Sequence, residues 1–167
     1  MLLFLSQQAF AGNDSDSLIR AKHWNIKQGI ALNGFDPVSY FEGSPLKGIR
    51  DFKAIESGVM YFFASEKHRE MFLLDPQKYE PACGGWCAYA MGKSGDKVKI
   101  NPYCFKIIED RLYLFYNKFG INTLKKWNKD ETKLKRTQML TGRRYFRGSS
   151  VGAFHIRSPG FPGLLFV

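Results

Sequence analysis

The sequence predicts an α+β domain, a small antiparallel sheet built from two hairpins packed with short helices, on three observations. Two pairs of aromatic and β-branched segments flank tight turns: residues 52–55 with 59–63 around Ser57-Gly58, and 103–108 with 112–116 around Glu109-Asp110. Amphipathic segments follow each pair, at 66–74 and 117–135. The chain of 167 residues is 44% hydrophobic and 24% charged, enough for one well-filled core and too apolar for a disordered chain.

The elements follow in order. Asn33-Gly34-Phe35-Asp36-Pro37 is a turn that leads into a short helix, with Asp36 as cap and Pro37 in the first turn. After the first hairpin, Ser65 caps a helix that Asp75-Pro76 stops. A Gly/Cys loop, residues 83–87, precedes the second hairpin. The last helix, 117–135, sets Ile121, Leu124 and Trp127 on one side and lysines opposite. No internal repeat is visible.

The two ends read differently from the body. Residues 1–11 match the back half of a secretory signal, an apolar run closing on Ala9-Phe10-Ala11, so the mature protein is expected to begin near Gly12 and to be periplasmic or secreted. A segment at 12–25 then leads into the domain. From Arg136 the chain has no acid, and Arg136, Arg143, Arg144, Arg147 and Arg157 hold half of the net charge of +10. Residues 136–167 are therefore expected to be a basic tail, disordered or out of the native reading frame, and dispensable for the fold. Upstream the lysines are mixed with acids, the pattern of a solvated surface, so nucleic acid is not an expected partner. No stretch approaches the roughly 20 apolar residues of a membrane span.

Chemistry could reside in three cysteines and three histidines. Cys83 and Cys87 form the one local pair. Their spacing allows a shared soft metal if His68 or Cys104 completes the site, or, in an oxidising compartment, a disulfide between two of the three thiols. Cys104, between Tyr103 and Phe105, reads as a small core residue, and His68, among charged neighbours, as an exposed one. No Ser-His-Asp order, G-x-S-x-G or paired carboxylate is present, so the residues establish no enzyme.

Several spaced motifs resemble the YHS-domain family, in particular its exported bacterial members. These are Gly34-Phe35-Asp36-Pro37-Val38-Ser39-Tyr40-Phe41, Tyr61-Phe62-Phe63-Ala64-Ser65, His68 with Phe72, Asp75-Pro76 and Tyr79, and Pro81 with Gly84-Gly85-Trp86-Cys87-Ala88. The likeness continues through Leu112-Tyr113-Leu114, Asn117-Lys118 and Lys126-Trp127, covering residues 26–135. It implies a compact, metal-associated, non-catalytic binding module. At the ligand positions of metal-binding relatives this chain carries Ser39, Ala64 and His68, so only His68 could still ligate. The metal candidates are Cys83, Cys87 and His68, for Cu(I) or Zn(II). Tyr40, Phe41, Trp86 and Tyr89 are candidate ligand-binding residues whose default place is the core. A metal ion, a small ligand or an envelope protein is the expected partner. The competing readings are a thiol/disulfide redox protein using Cys83 and Cys87, and a structural envelope protein without metal. The resemblance also bears on the tail. One choice of codons for residues 136–142, read two bases on, spells Asn-Ala-Asp-Ala-Asn-Trp, similar to the ending of exported YHS proteins.

Overall fold

The computed structural model describes residues 14–145. The signal remnant expected at 1–11 and the tail beyond residue 145 lie outside them. The described chain is α+β, with six helices and three antiparallel two-stranded sheets. Helix α1 (Asp14–His23) precedes a hairpin of β1 (Ile49–Glu56) and β2 (Val59–Phe63). Helices α2 (Glu66–Leu74), α3 (Pro76–Tyr79) and α4 (Ala88–Lys93) lead to a second hairpin, β3 (Asn101–Ile108) with β4 (Arg111–Phe115). A small hairpin, β5 (Asn117–Lys118) with β6 (Ile121–Asn122), then precedes α5 (Thr123–Trp127) and α6 (Glu131–Tyr145). Three 3-10 turns, Leu32–Gly34, Ser39–Glu42 and Ala82–Gly85, complete the path.

Both expected hairpins form, each as a separate sheet. Ser65 caps α2 by accepting from the His68 amide, and Asp75 ends that helix and caps the next through the Lys78 amide. The helix expected at 117–135 is broken. Asn117 pairs with Asn122 around Phe119-Gly120, both at positive φ, and the Asn122 side chain then caps α5 at the Leu124 amide. Asparagine and glycine favour that turn over a continuous helix. The segment at 12–25, read only as a lead-in, holds α1. At the other end, α6 crosses residue 135 and Gln138 is buried, so the packed helix runs past the expected boundary at 135 to at least Gln138.

The structure also holds a repeat that the sequence hides. One constant shift along the chain carries β1 onto β3 and β2 onto β4, with the same irregularity of register near the start of each long strand. A shift shorter by one residue carries the turn Leu32–Gly34 onto 83–85, and both turns contain consecutive residues at positive φ. The hydrogen bonds repeat as well. The Asp36 amide donates to the Leu46 carbonyl, and the Cys87 amide to that of Val98, each at 2.9 Å. Parallel bridges join Ile30 to Met60 and Pro81 to Leu112.

Each half has its own core. Tyr61 and Phe63 pack on Phe72 of α2 in the first, and Tyr113 and Phe115 on Trp127 of α5 in the second. Strand β4 serves both cores: Leu112 and Leu114 face the first, Tyr113 and Phe115 the second, all at 2% exposure or less. Period-2 alternation makes such a strand a wall with two apolar faces. Strand β2 buries only Val59, Tyr61 and Phe63, leaving Met60 and Phe62 half-buried.

A buried polar cluster fastens α1. Arg20 pairs with Asp16 at 3.3 Å and with Glu80, lies over the Trp24 ring, and Glu80 also accepts from the Tyr61 hydroxyl at 3.0 Å. Burial pulls the Arg20 guanidinium down, but Glu80 holds it above its ordinary value; burial raises the Glu80 carboxyl against the opposing pull of Arg20. Removing Arg20 leaves the buried Glu80 carboxylate without its countercharge, held by the Tyr61 hydroxyl. Arg20→Ala is expected to lower the unfolding free energy by about 3–5 kcal/mol. Glu80→Gln, which keeps hydrogen-bonding capacity, is expected to cost less, as read by urea denaturation.

Candidate functional site

His68 is turned inward, contrary to its expected exposure, because the Ser65 cap starts α2 so that His68 and Phe72, one turn apart, face the first core. Its Nδ1 lies 2.6 Å from the carboxylate of Asp36, and its Nε2 3.2 Å from Glu42. Asp36 is fully buried and also accepts from the Val38 and Ala64 amides, each at 2.8 Å. This node ties the turn after Phe35, the end of β2 and the start of α2 together. A buried carboxylate met by several donors is satisfied where it stands.

Cys87 holds the matching position in the second half. Its sulfur accepts from the Tyr116 amide at 3.4 Å, as Asp36 accepts from Ala64, and lies 3.3 Å from the Thr123 hydroxyl. Thr123 donates to the Tyr116 carbonyl at 2.9 Å, so its oxygen is left to accept the Cys87 S–H. Cys87 is thus held by two hydrogen bonds, one from a backbone amide and one shared with a hydroxyl. Cys83 sits at positive φ in the preceding turn, packed in the second core. Burial pushes its thiol far up and Cys87 adds to this, against smaller opposite pulls from Arg111 and Gln138. Cys104 is buried as expected, and its thiol is raised by burial.

All three cysteines are free, so the disulfide expected among them does not form. Each thiol is committed to its own packing or hydrogen bond. His68 is not brought to Cys83 and Cys87 either. Both ring nitrogens of His68 face carboxylates in the first half, whereas Cys83 packs in the second core and Cys87 bonds to the Tyr116 amide and Thr123. Among the described residues no group of three or more His, Cys, Asp or Glu side chains is arranged to hold a metal ion. Burial also disfavours the Cys83 thiolate that a soft metal takes. As placed among the described residues, His68 and the cysteines do not assemble a Cu(I) or Zn(II) site.

The four aromatic candidates are divided as well. Tyr40 is in the first core, edge-on to Phe105, and Phe41 packs against Tyr79. Trp86 and Tyr89 pack against the second core, and the Trp86 indole donates to the His23 carbonyl at 2.7 Å. They form no common surface.

An open cleft of about 480 Å³ lies elsewhere, lined by Lys27, Lys47 and Arg50 with no carboxylate. Phe62, from the outer face of β2, and Ile30 supply its apolar wall. The bridge from Phe35 to Lys47 brings that lysine beside the turn Leu32–Gly34, and the irregular pairing between Ile49 and Lys53 displaces Arg50 from the ladder. Gly48 permits the approach: a Cβ there would stand 2.4 Å from the Phe62 carbonyl carbon. Lys47 is held in place, its Nζ donating to the Asn33 carbonyl at 2.6 Å and lying 4.5 Å from the centre of the Phe35 ring. Sequence reasoning missed this cleft because Lys27 lies twenty residues before Lys47 and the fold brings them together. The available signal was that residues 17–35 contain no acid. A second basic hollow, about 380 Å³, lies between α4 and α6, with Lys93, Lys126, Lys129 and Lys133 around Asp130.

The thiol environments carry a prediction. In the native protein all three thiols are expected to resist a thiol reagent until the chain is unfolded, followed by mass spectrometry. Truncation after Lys135 removes Gln138 from beside Cys83 and is expected to make Cys83 the first to react. No family model, no curated protein and no solved structure matches this sequence.

Proposed function

We propose that the chain is an exported, non-catalytic binding module of the YHS type, with the basic cleft beside β2 as its binding site. One contrast carries the reading. The groups that could do chemistry are each committed to a structural contact: Asp36 with His68, Cys87 with Thr123, and Arg20 with Glu80. Lys27, Lys47 and Arg50 instead line an open cleft. A site that binds without reacting needs charge, shape and an apolar wall, and no poised nucleophile.

The motif residues behind the YHS resemblance support the same view. Gly34-Phe35-Asp36-Pro37 forms both the turn at the cleft and the node that anchors α2. A soft-metal role would require His68 to leave Asp36 and Glu42. A redox role would require Cys83 to lose a proton that burial holds. Export is part of the proposal, resting on Ala9-Phe10-Ala11, and the mature protein is expected to begin at Gly12 when its N-terminus is sequenced.

Metal and redox chemistry are tested directly. Reduced wild-type, Cys83→Ser and Cys87→Ser proteins are expected to carry equal, negligible Cu(I) and Zn(II) by elemental analysis. Glutathione buffers spanning physiological potentials are expected to leave Cys83 and Cys87 unpaired. Metal retained by the wild type and lost from both variants, or a reversible Cys83–Cys87 disulfide, would overturn the assignment.

A further inference from the structure

The repeat gives the cleft an internal control. In the second half, the hollow beside the turn at 83–85 is filled by the chain itself. The Asn25 amide donates to the Gly84 carbonyl at 2.8 Å, and the Asn25 side chain to that of Gly85 at 2.9 Å. A Cβ at Gly85 would meet Pro81 at 3.6 Å and Asn25 at 3.7 Å.

In the first half no segment of the described chain takes that place. The carbonyl equivalent to that of Gly84 belongs to Asn33, and it accepts from the Lys47 ammonium instead of from a backbone amide. The atoms nearest a Cβ at Gly34 would belong to Phe62, Lys47 and Ile30, the walls of the cleft. The outer faces of the strands differ in the same sense. Leu112 and Leu114 of β4 are packed against the other half, whereas their counterparts in β2, Met60 and Phe62, are only half-buried. The same architecture therefore makes one plugged hollow and one open hollow.

Resting on the binding-module reading, we infer that the open hollow takes a small organic oxyanion of two or more negative charges, phosphoryl or polycarboxylate, bearing an apolar group. Lys47 spends one ammonium proton on Asn33 and keeps two donors for the ligand. Arg50 offers the planar fork that matches an oxyanion bidentately, and Lys27 adds a third charge. The uncompensated charge excludes cations and disfavours neutral ligands. Phe62 and Ile30 give the apolar group its contact. The volume of about 480 Å³ suits a small molecule.

The test is an NMR titration of the full chain with inorganic pyrophosphate and, separately, with citrate. Saturable binding with a Kd of about 10–1000 μM is expected. The shifts should centre on Gln28, Gly34, Gly48, Arg50 and Phe62, and the affinity should fall with added salt. Lys27→Gln and Arg50→Gln, both at exposed positions, should each weaken binding about two- to fivefold and more in combination. Lys126→Gln with Lys129→Gln should leave it unchanged. Saturation by pyrophosphate alone assigns a phosphoryl ligand, and by citrate alone a polycarboxylate. Failure to saturate with either, shifts spread over the Lys93 and Lys133 surface, or undiminished binding by the double cleft variant would overturn the inference. Release of orthophosphate from pyrophosphate would instead overturn the non-catalytic reading and leave the cleft assignment standing.

Discussion

The structure depends on a single strand buried on both faces. Because the side chains of β4 alternate between two cores, Leu112 and Leu114 cannot be packed without fixing Tyr113 and Phe115, and one half cannot settle without the other. Its pairing with β3 and the bridge from Pro81 to Leu112 leave little freedom in where the turn before α4 can run. Two hairpins that make separate sheets, each too small to be stable alone, thereby become one cooperative unit. The sharing also explains why α6 continues past Lys135. The second core needs a cover, and Leu134 and Gln138 provide part of it.

The two halves meet the same local requirement with different chemistry. After the second strand of each hairpin the chain turns into a helix, and the amide at that corner, of Ala64 or of Tyr116, is directed inward and needs an acceptor. In the first half a carboxylate accepts it and also meets a histidine. In the second a thiol accepts it and also meets a threonine hydroxyl. The exchange of Asp36 for Cys87 shows why residue type alone misleads here. A cysteine in a glycine-rich loop resembles a metal ligand or a redox centre, yet its neighbours make it a small, hydrogen-bonded core residue. The pair His68 and Asp36 resembles part of a catalytic site, yet it is a corner brace.

Much of the framework was legible in the sequence because it is encoded locally. The β-branched and aromatic runs around Ser57-Gly58 and Glu109-Asp110, the Ser65 cap and the Asp75-Pro76 stop each specify their element within a few residues. The features that were not legible depend on contacts distant in sequence. The repeat is one of backbone: Leu32-Asn33-Gly34 and Cys83-Gly84-Gly85 share a conformation and only one residue type in register. The small β5–β6 hairpin was concealed by the helical spacing of Leu124 and Trp127 just beyond it. His68 looked exposed because its neighbours along the chain are charged, while the face of α2 decides its burial. The basic cleft needed Lys27, Lys47 and Arg50 to be assembled by isolated bridges that no periodicity announces.

Asymmetric packing of a repeated backbone accounts for why, among the described residues, one of the two equivalent hollows is plugged and the other open. The second hollow is closed by the residues after α1, which Arg20 anchors through Glu80 and Trp24. Among the described residues no helix and loop fills the first in this way, and the outer face of β2 and the left-handed turn border the cleft. An open hollow of neutral lining would be a loss of packing and nothing more. Three cations around it, one of them held by a carbonyl and an aromatic face, repel one another and cost stability unless a counter-charge arrives. The net charge of +10 strengthens the field that draws an anion from solution, and the cleft supplies the one place beside β2 where cations, a prepared donor and an apolar wall coincide. Repulsion that an anion would relieve is therefore the physical link between the asymmetry of the fold and the ligand proposed for the cleft.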